Sequence, residues 1–343
     1  MRTAGGVLVA SVMLVGGSAR AATVPEGQLR VVGSVELEIG GQHWPLVRVA
    51  ETGAIVALDR EGSRVVAVSP EGTKLWEWSS GPSLGTHVAG LDLDGRGNLW
   101  LSSGRGEVAV LDGATGTPLS LGPPARLSKE DGSVNGIVAG SGGEYYLLTR
   151  AGRPAVRRFA RADGPGAAFE VAPGAPPRPG ADGPGWLGRG AEGSIYYCPR
   201  SDLAFYRYSG EGRLLETLRP ADVPFQGRGA GNDPGDTLFG IGLLSGGRIV
   251  FEVAHRDPYQ DGLGSDGQRI RRTSLDLRLY VVGPGGDLEA VLRPPWREIG
   301  QFVAVGPRDR LYFLTTAQLL KPGEAPRITW VELDRSGPQR AAR

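Results

Sequence analysis

The chain is short of the residues from which most catalytic and metal sites are built. It has one cysteine, Cys198, and three histidines, His43, His87 and His255, in 343 residues. A lone thiol closes no internal disulfide, so stability must come from packing. Cys198 ends the apolar run that starts at Ile195, where a free cysteine reads as a small buried hydrophobe rather than a nucleophile. An excess of charge of either sign is also missing, with 38 Lys and Arg against 37 Asp and Glu. That balance gives no footprint for a nucleic-acid partner or an anionic membrane surface. Beyond the N-terminus no apolar run approaches the length of a membrane span. The one run of note, Val7 to Val15, follows Arg2 and precedes Ala19, Arg20 and Ala21. A basic start, an apolar middle and a small-x-small site are the parts of a secretory leader. They predict residues 1–21 as a cleaved signal peptide and a periplasmic or extracellular destination.

What the chain has in quantity is turn-forming residues. There are 56 Gly and 26 Pro without a collagen period, in a chain whose 40% hydrophobic content is enough for a core. One pattern recurs, a turn ending in Gly, then any residue, then three apolar or aromatic residues. It reads GAIVA from Gly53, GNLWL from Gly97, GEYYL from Gly143, GSIYY from Gly193 and GRIVF from Gly247. A sixth copy, DRLYF, has Asp309 in the Gly place. Successive anchors lie 44, 46, 50, 54 and 62 residues apart. Such spacing suits four-stranded propeller blades.

A second turn follows each anchor, ending at Gly72, Gly116, Gly164, Gly212, Gly286 and Gly337. The anchor-to-turn distance is 19, 19, 21 and 19 residues in the first four copies, then 39 and 28. Each unit reads strand a, Gly turn, strand b, strand c, Gly turn, strand d, with Gly supplying the positive φ that tight hairpins require. The sixth unit lacks its own strand d, while Leu29 to Glu38 is strand-like and has no unit. The fold predicted is therefore all-β. It is a single six-bladed β-propeller of four-stranded blades over residues 22–338, its ring closed by the N-terminal strand, with 339–343 a frayed tail.

The phrase from Gly90 to Leu101, GLDLDGRGNLWL, and the phrase NGIVA from Asn135 resemble NHL-repeat and streptogramin-lyase-like propellers. The resemblance runs through all six units and identifies a fold better than a function. The phrase AVSPEGTKLW ending at Trp76 also resembles a tryptophan-docking repeat of quinoproteins, but it occurs once, which argues against an eight-bladed ring.

In such a ring the d–a and b–c connections share one face, and here every long connection falls on it. Insertions gathered on one face of a repeat ring mark the binding face. Eight residues before each anchor, at the channel mouth, stand Pro45, Ala89, Asn135, Gly185, Phe239 and Gln301, and His43 and His87 lie two residues further back. The resemblance implies either a His base or His cluster, as in the lyases, or a carboxylate and two Asn around a divalent metal, as in the gluconolactonase-like propellers. Asn135 matches one such Asn, and no mouth carboxylate aligns with it. His43 and His87 share a repeat position and either bind a ligand together or bond to backbone at a strand start. His255 and Arg256 head the insertion from Ala254 to Asp276, read as a solvated loop whose Asp spacing follows no EF-hand. The ligand-binding candidates are thus His43, His87, Asn135, Phe239, Gln301, His255 and Arg256, with no catalytic set. The expected role is a binding or scaffold module, without a cofactor, for an envelope protein, peptide or glycan. The alternative is a lyase or lactonase that uses a divalent metal.

Overall fold

The computed structural model describes residues 7–8, 28–39, 46–59, 64–79, 84, 88–121, 127, 132–151, 153–160, 164–170, 185–199, 202–225, 235–256, 260–263, 269–272, 275–315 and 324–334. Six antiparallel sheets form the blades. Strand a of blades 1 to 6 is Leu46–Val49, Val88–Leu93, Ser133–Ala139, Trp186–Arg189, Thr237–Leu243 and Gln301–Val305. Strand b begins at Ile55, Leu99, Tyr145, Ile195, Ile249 and Leu311, two residues after each anchor.

Burial explains the continuous apolar runs that mark strand b. Every residue of Ile55–Asp59, Leu99–Ser103 and Leu311–Thr315 is buried, because each central strand meets a neighbouring blade on both faces. The outer strands alternate or are exposed, as in Lys74–Ser79 and Leu214–Leu218. The core is correspondingly divided among the seams. Each of six hydrophobic clusters joins two consecutive blades, including blade 6 with blade 1. Trp76 shows how a seam is locked. Its indole N–H donates to the Gly113 carbonyl of blade 2 at 2.9 Å, and its ring lies where a Cβ on Gly116 would sit. The single tryptophan-docking phrase thus docks on its neighbour.

The N-terminal segment Gln28–Glu36 is the outer strand of the sixth sheet, antiparallel to Arg327–Asp334. Its Leu29 lies in the cluster between blades 5 and 6, and its Val35 in the cluster between blades 6 and 1. Of the expected leader only Val7–Leu8 is described, as a two-residue strand paired with Leu29 and Arg30. The expected cleavage site and the tail at 339–343 lie outside the described residues.

All five Gly anchors have positive φ, and so does the sixth, Asp309, at φ 60. Asp tolerates the left-handed region better than most L residues. Here its side chain also does what Gly cannot. Its carboxylate accepts from the Ser245 amide at 2.7 Å and from Arg248 Nη2 at 2.7 Å, tying the a–b turns of blades 5 and 6 together.

The segment from Ala254 to Asp276, read in the sequence as a loop, is more ordered than that. Strand b of blade 5 runs Ile249–Arg256, strand c runs Leu275–Val282, and between them Gln260–Leu263 pairs with Arg269–Arg272 as a separate hairpin. Because Thr237 pairs with Ala254, this hairpin rises at the end where strand a begins.

Candidate binding site at the channel mouth

The six a strands surround a central channel of about 450 Å³. Ala89, Asn135, Gly185, Phe239 and Gln301, five of the six residues at the repeat position read as the mouth, all line it, together with Leu46 beside Pro45. Pro45, His43 and His87 lie outside the described residues.

A shared backbone irregularity aims these side chains. In blades 2, 3 and 5 the a–b register slips between Val88 and Gly90, between Val134 and Gly136, and between Leu238 and Gly240. The unpaired residue at each bulge is Ala89, Asn135 or Phe239, and each turns into the channel. A bulge leaves one residue without a partner and re-aims its side chain, a device common next to binding sites. In blades 2 and 5 the glycine that follows lets the next blade close in. A Cβ on Gly240 would lie 2.5 Å from the Phe302 carbonyl oxygen. Asn135 is therefore not a turn residue but a bulged strand residue, and its side-chain amide donates to the Ser133 carbonyl at 3.1 Å. The legible signal was the pair of any residue followed by Gly at one repeat position.

Most side chains of the described wall are apolar or aromatic, and backbone groups add polar surface between them. Trp186 is half-buried and Phe239 exposed, Gln301 is buried, and Arg48 is the one charged residue among the described residues lining the channel. Among the described residues no group of three or more His, Cys, Asp or Glu is placed to hold a metal. A hard divalent cation is held by several oxygen ligands, usually with carboxylates among them. The described wall offers the amide oxygens of Asn135 and Gln301 and no carboxylate, so it does not assemble that donor set.

His255 is committed elsewhere. Its Nδ1 lies 2.8 Å from Asp236 Oδ1 and its Nε2 lies 2.7 Å from the Tyr280 hydroxyl. The order carboxylate, imidazole, hydroxyl is that of a nucleophilic relay. The hydroxyl is nonetheless fully buried, and burial pushes the Tyr280 phenol up to about 12. With its hydroxyl buried and neutral, the set is a brace at the end of strand b from which the inserted hairpin starts. Asp276 strengthens that end by accepting from Arg278 at 2.6 Å and Arg293 at 3.2 Å. Arg256 ends strand b beside His255, paired with Leu275. Both ring nitrogens of His255 are thus engaged, and the residue stands on strand b rather than in a loop. Cys198 is fully buried, and burial pushes its thiol up, so it is no nucleophile.

The sequence missed one group. Glu252, on strand b of blade 5, is fully buried among apolar residues, and burial pushes its carboxyl up to about 8. One oxygen accepts from the Phe302 amide at 3.2 Å, and the other has no partner. It stands five residues after its anchor, where the other units have Leu58, Ser102, Leu148, Cys198 and Leu314. Aligning that repeat position exposes it as the one acid.

No helix among the described residues is long and apolar enough to cross a membrane. No protein-family description matches the sequence, and no curated protein matches it. Solved structures do. Virginiamycin B lyase from Staphylococcus aureus superposes with a TM-score of 0.53 at 12% identity, over 88% of this chain and 98% of that one. A gluconolactonase from Xanthomonas campestris gives 0.50 at 16% identity, over 96% and 99%. The WD40 repeats of RRP9 give 0.56 at 14% identity, over 90% and 100%. The chain is thus a six-bladed β-propeller that shares its fold with the streptogramin-lyase-like propellers.

Proposed function

We propose that this protein is a binding propeller of the cell envelope, exported by its leader, that grips a partner at the mouth of its channel. The observation that supports this most is the channel itself. It opens on the face that has the long connections and the inserted hairpin, and its rim combines an exposed aromatic with amide groups. Aromatic side chains supply large contact area at low entropy cost, and amides orient a ligand. No pair of ionisable groups converges on the described wall to act as acid and base. A protein, peptide or glycan of the envelope is the class of partner this rim suits.

Two variants test the reading. Replacing residues 257–274 by a tight turn removes the hairpin but leaves the seams intact, so folding should be unchanged. Phe239→Ala removes the exposed aromatic. Immobilised wild-type protein should retain an envelope component, and each variant should retain it about tenfold less well, as expected when an aromatic anchor is lost. His87→Ala should leave binding nearly unchanged, and Asn135→Ala should cost about 1 kcal/mol or less, the value of one exposed hydrogen bond. If either instead abolishes a metal-dependent turnover, the enzyme reading replaces this one.

A further inference from the structure

The outer edge of blade 4 differs from the other five. Of the five large apolar side chains exposed among the described residues, two are neighbours, Leu214 and Leu215, each 41% exposed. They stand on the outer strand Leu214–Leu218, whose first four residues are all exposed. The strand pairs with Phe205–Tyr208 on one side, and its other side has no ladder partner among the described residues. Such an edge is a template for another chain unless it is covered or broken by lysine or proline. The other outer strands have those safeguards. Blade 1 has Lys74, blades 2 and 3 have Pro118 and Pro165, blade 5 has no exposed residue there, and blade 6 is partly covered by Val7–Leu8. Leu214–Leu218 has neither lysine nor proline, and Glu216 is its one charge. A bulge does not make the difference. The register slips at Leu215, and the same slip leaves Leu75, Leu119 and Glu289 unpaired in blades 1, 2 and 5.

We infer that two copies of this chain join through this edge, with Leu214–Leu218 of one running antiparallel to Leu214–Leu218 of the other about a two-fold axis. The sequence is complementary to itself in that arrangement. With the axis between Leu214 and Leu215, Leu214 faces Leu215 of the second copy, and Arg213 faces its Glu216. A two-fold interface makes each contact twice, so the pairing holds two leucine pairs and two pairs of opposite charge. The exposed leucines leave water, and the open ladder groups of both edges find partners. The inference is independent of the channel mouth, since strand a lines the channel and this strand is the outermost of its blade.

Sedimentation velocity of the full chain, from micromolar to near-millimolar concentration, tests this. The wild type should pass from monomer to dimer as concentration rises. Leu215→Lys changes an exposed side chain, so it should keep the melting temperature of the wild type and stay monomeric over the same range. Arg213→Glu and Glu216→Arg should each weaken the dimer about tenfold, because each sets like charges opposite one another twice. The double variant, with the two charges exchanged, should restore the dimer, a rescue specific to the antiparallel register. If Leu215→Lys does not fold, the charge exchange decides. A wild type that is monomeric throughout overturns the inference, as does a dimer that survives Leu215→Lys or that the charge exchange does not rescue. A monomeric wild type that instead binds the strand-forming peptide Ac-Thr-Val-Thr-Val-Thr-Val-amide, and loses it in Leu215→Lys, also overturns the inference and assigns the edge to a strand of another protein.

Discussion

Removal of residues 28–36 should make the chain aggregate. The strand's Leu29 and Val35 are buried in different seams, and full burial of two such side chains contributes ~3–6 kcal/mol. A natural domain is stable by about 5–15 kcal/mol in total, so a loss of this size is a large fraction of the margin. The deletion also uncovers the ladder edge of Arg327–Asp334, which is free to pair with another chain. Size-exclusion chromatography and a thermal melt read both effects. A peptide of residues 26–38 added in trans should restore part of the melting temperature, because strand addition to an open edge needs no covalent link. A deletion variant that does not aggregate and melts as the wild type does would show that Gln28–Glu36 is not integral to blade 6.

Stability should fall as pH rises through the neutral range, and Glu252 should be the cause. Its carboxyl is raised from 4.5 to about 8 by burial. The folded state then holds a proton that the unfolded chain releases above about pH 4.5. The neutral acid thus favours the fold at low pH, and the advantage drains away between pH 4.5 and 8 and is gone above. The full swing is up to ~5 kcal/mol from linkage. Glu252→Gln removes the ionisation, so it should melt close to wild type at pH 5 and well above it at pH 9. Glu252→Leu, the residue type of three other units at this position, should be flat with pH as well. Equal pH slopes for wild type and Glu252→Gln would exclude this residue as the source. The seam it occupies is lined by Gly240 and Phe302, which also line the channel, so the same titration should be felt at the mouth.

How far the sequence could be read depended on periodicity. Blade number, strand order, the turn anchors and the mouth position were legible, because a ring of equivalent units repeats its backbone geometry. Asp309 marks the reach of that logic, since its positive φ was implied by the place it takes in the repeat. What breaks the period was harder to read. The inserted hairpin has no counterpart in other blades among the described residues. His255 is spoken for by Asp236, 19 residues before it, and by Tyr280, 25 after, a pairing that only the folded sheet creates. Glu252 lay in view in the sequence, but its strangeness emerges when five apolar or small equivalents are set beside it. Arg189 was invisible for another reason. Its guanidinium donates to the Leu93 carbonyl, 96 residues away and two blades distant, and a contact between blades leaves no trace in local pattern.

Cys198 gives the molecule a built-in clock. It is the one thiol in the chain, fully buried in the seam between blades 4 and 5, with its Sγ beside the Pro199 and Asp202 carbonyls. A thiol reagent can reach it when that seam parts, so the labelling rate in native buffer measures the opening free energy of one seam without denaturant. Labelling that tracks global unfolding would mean the ring opens as a unit. Faster labelling would mean that single blades part from their neighbours while the rest of the propeller holds.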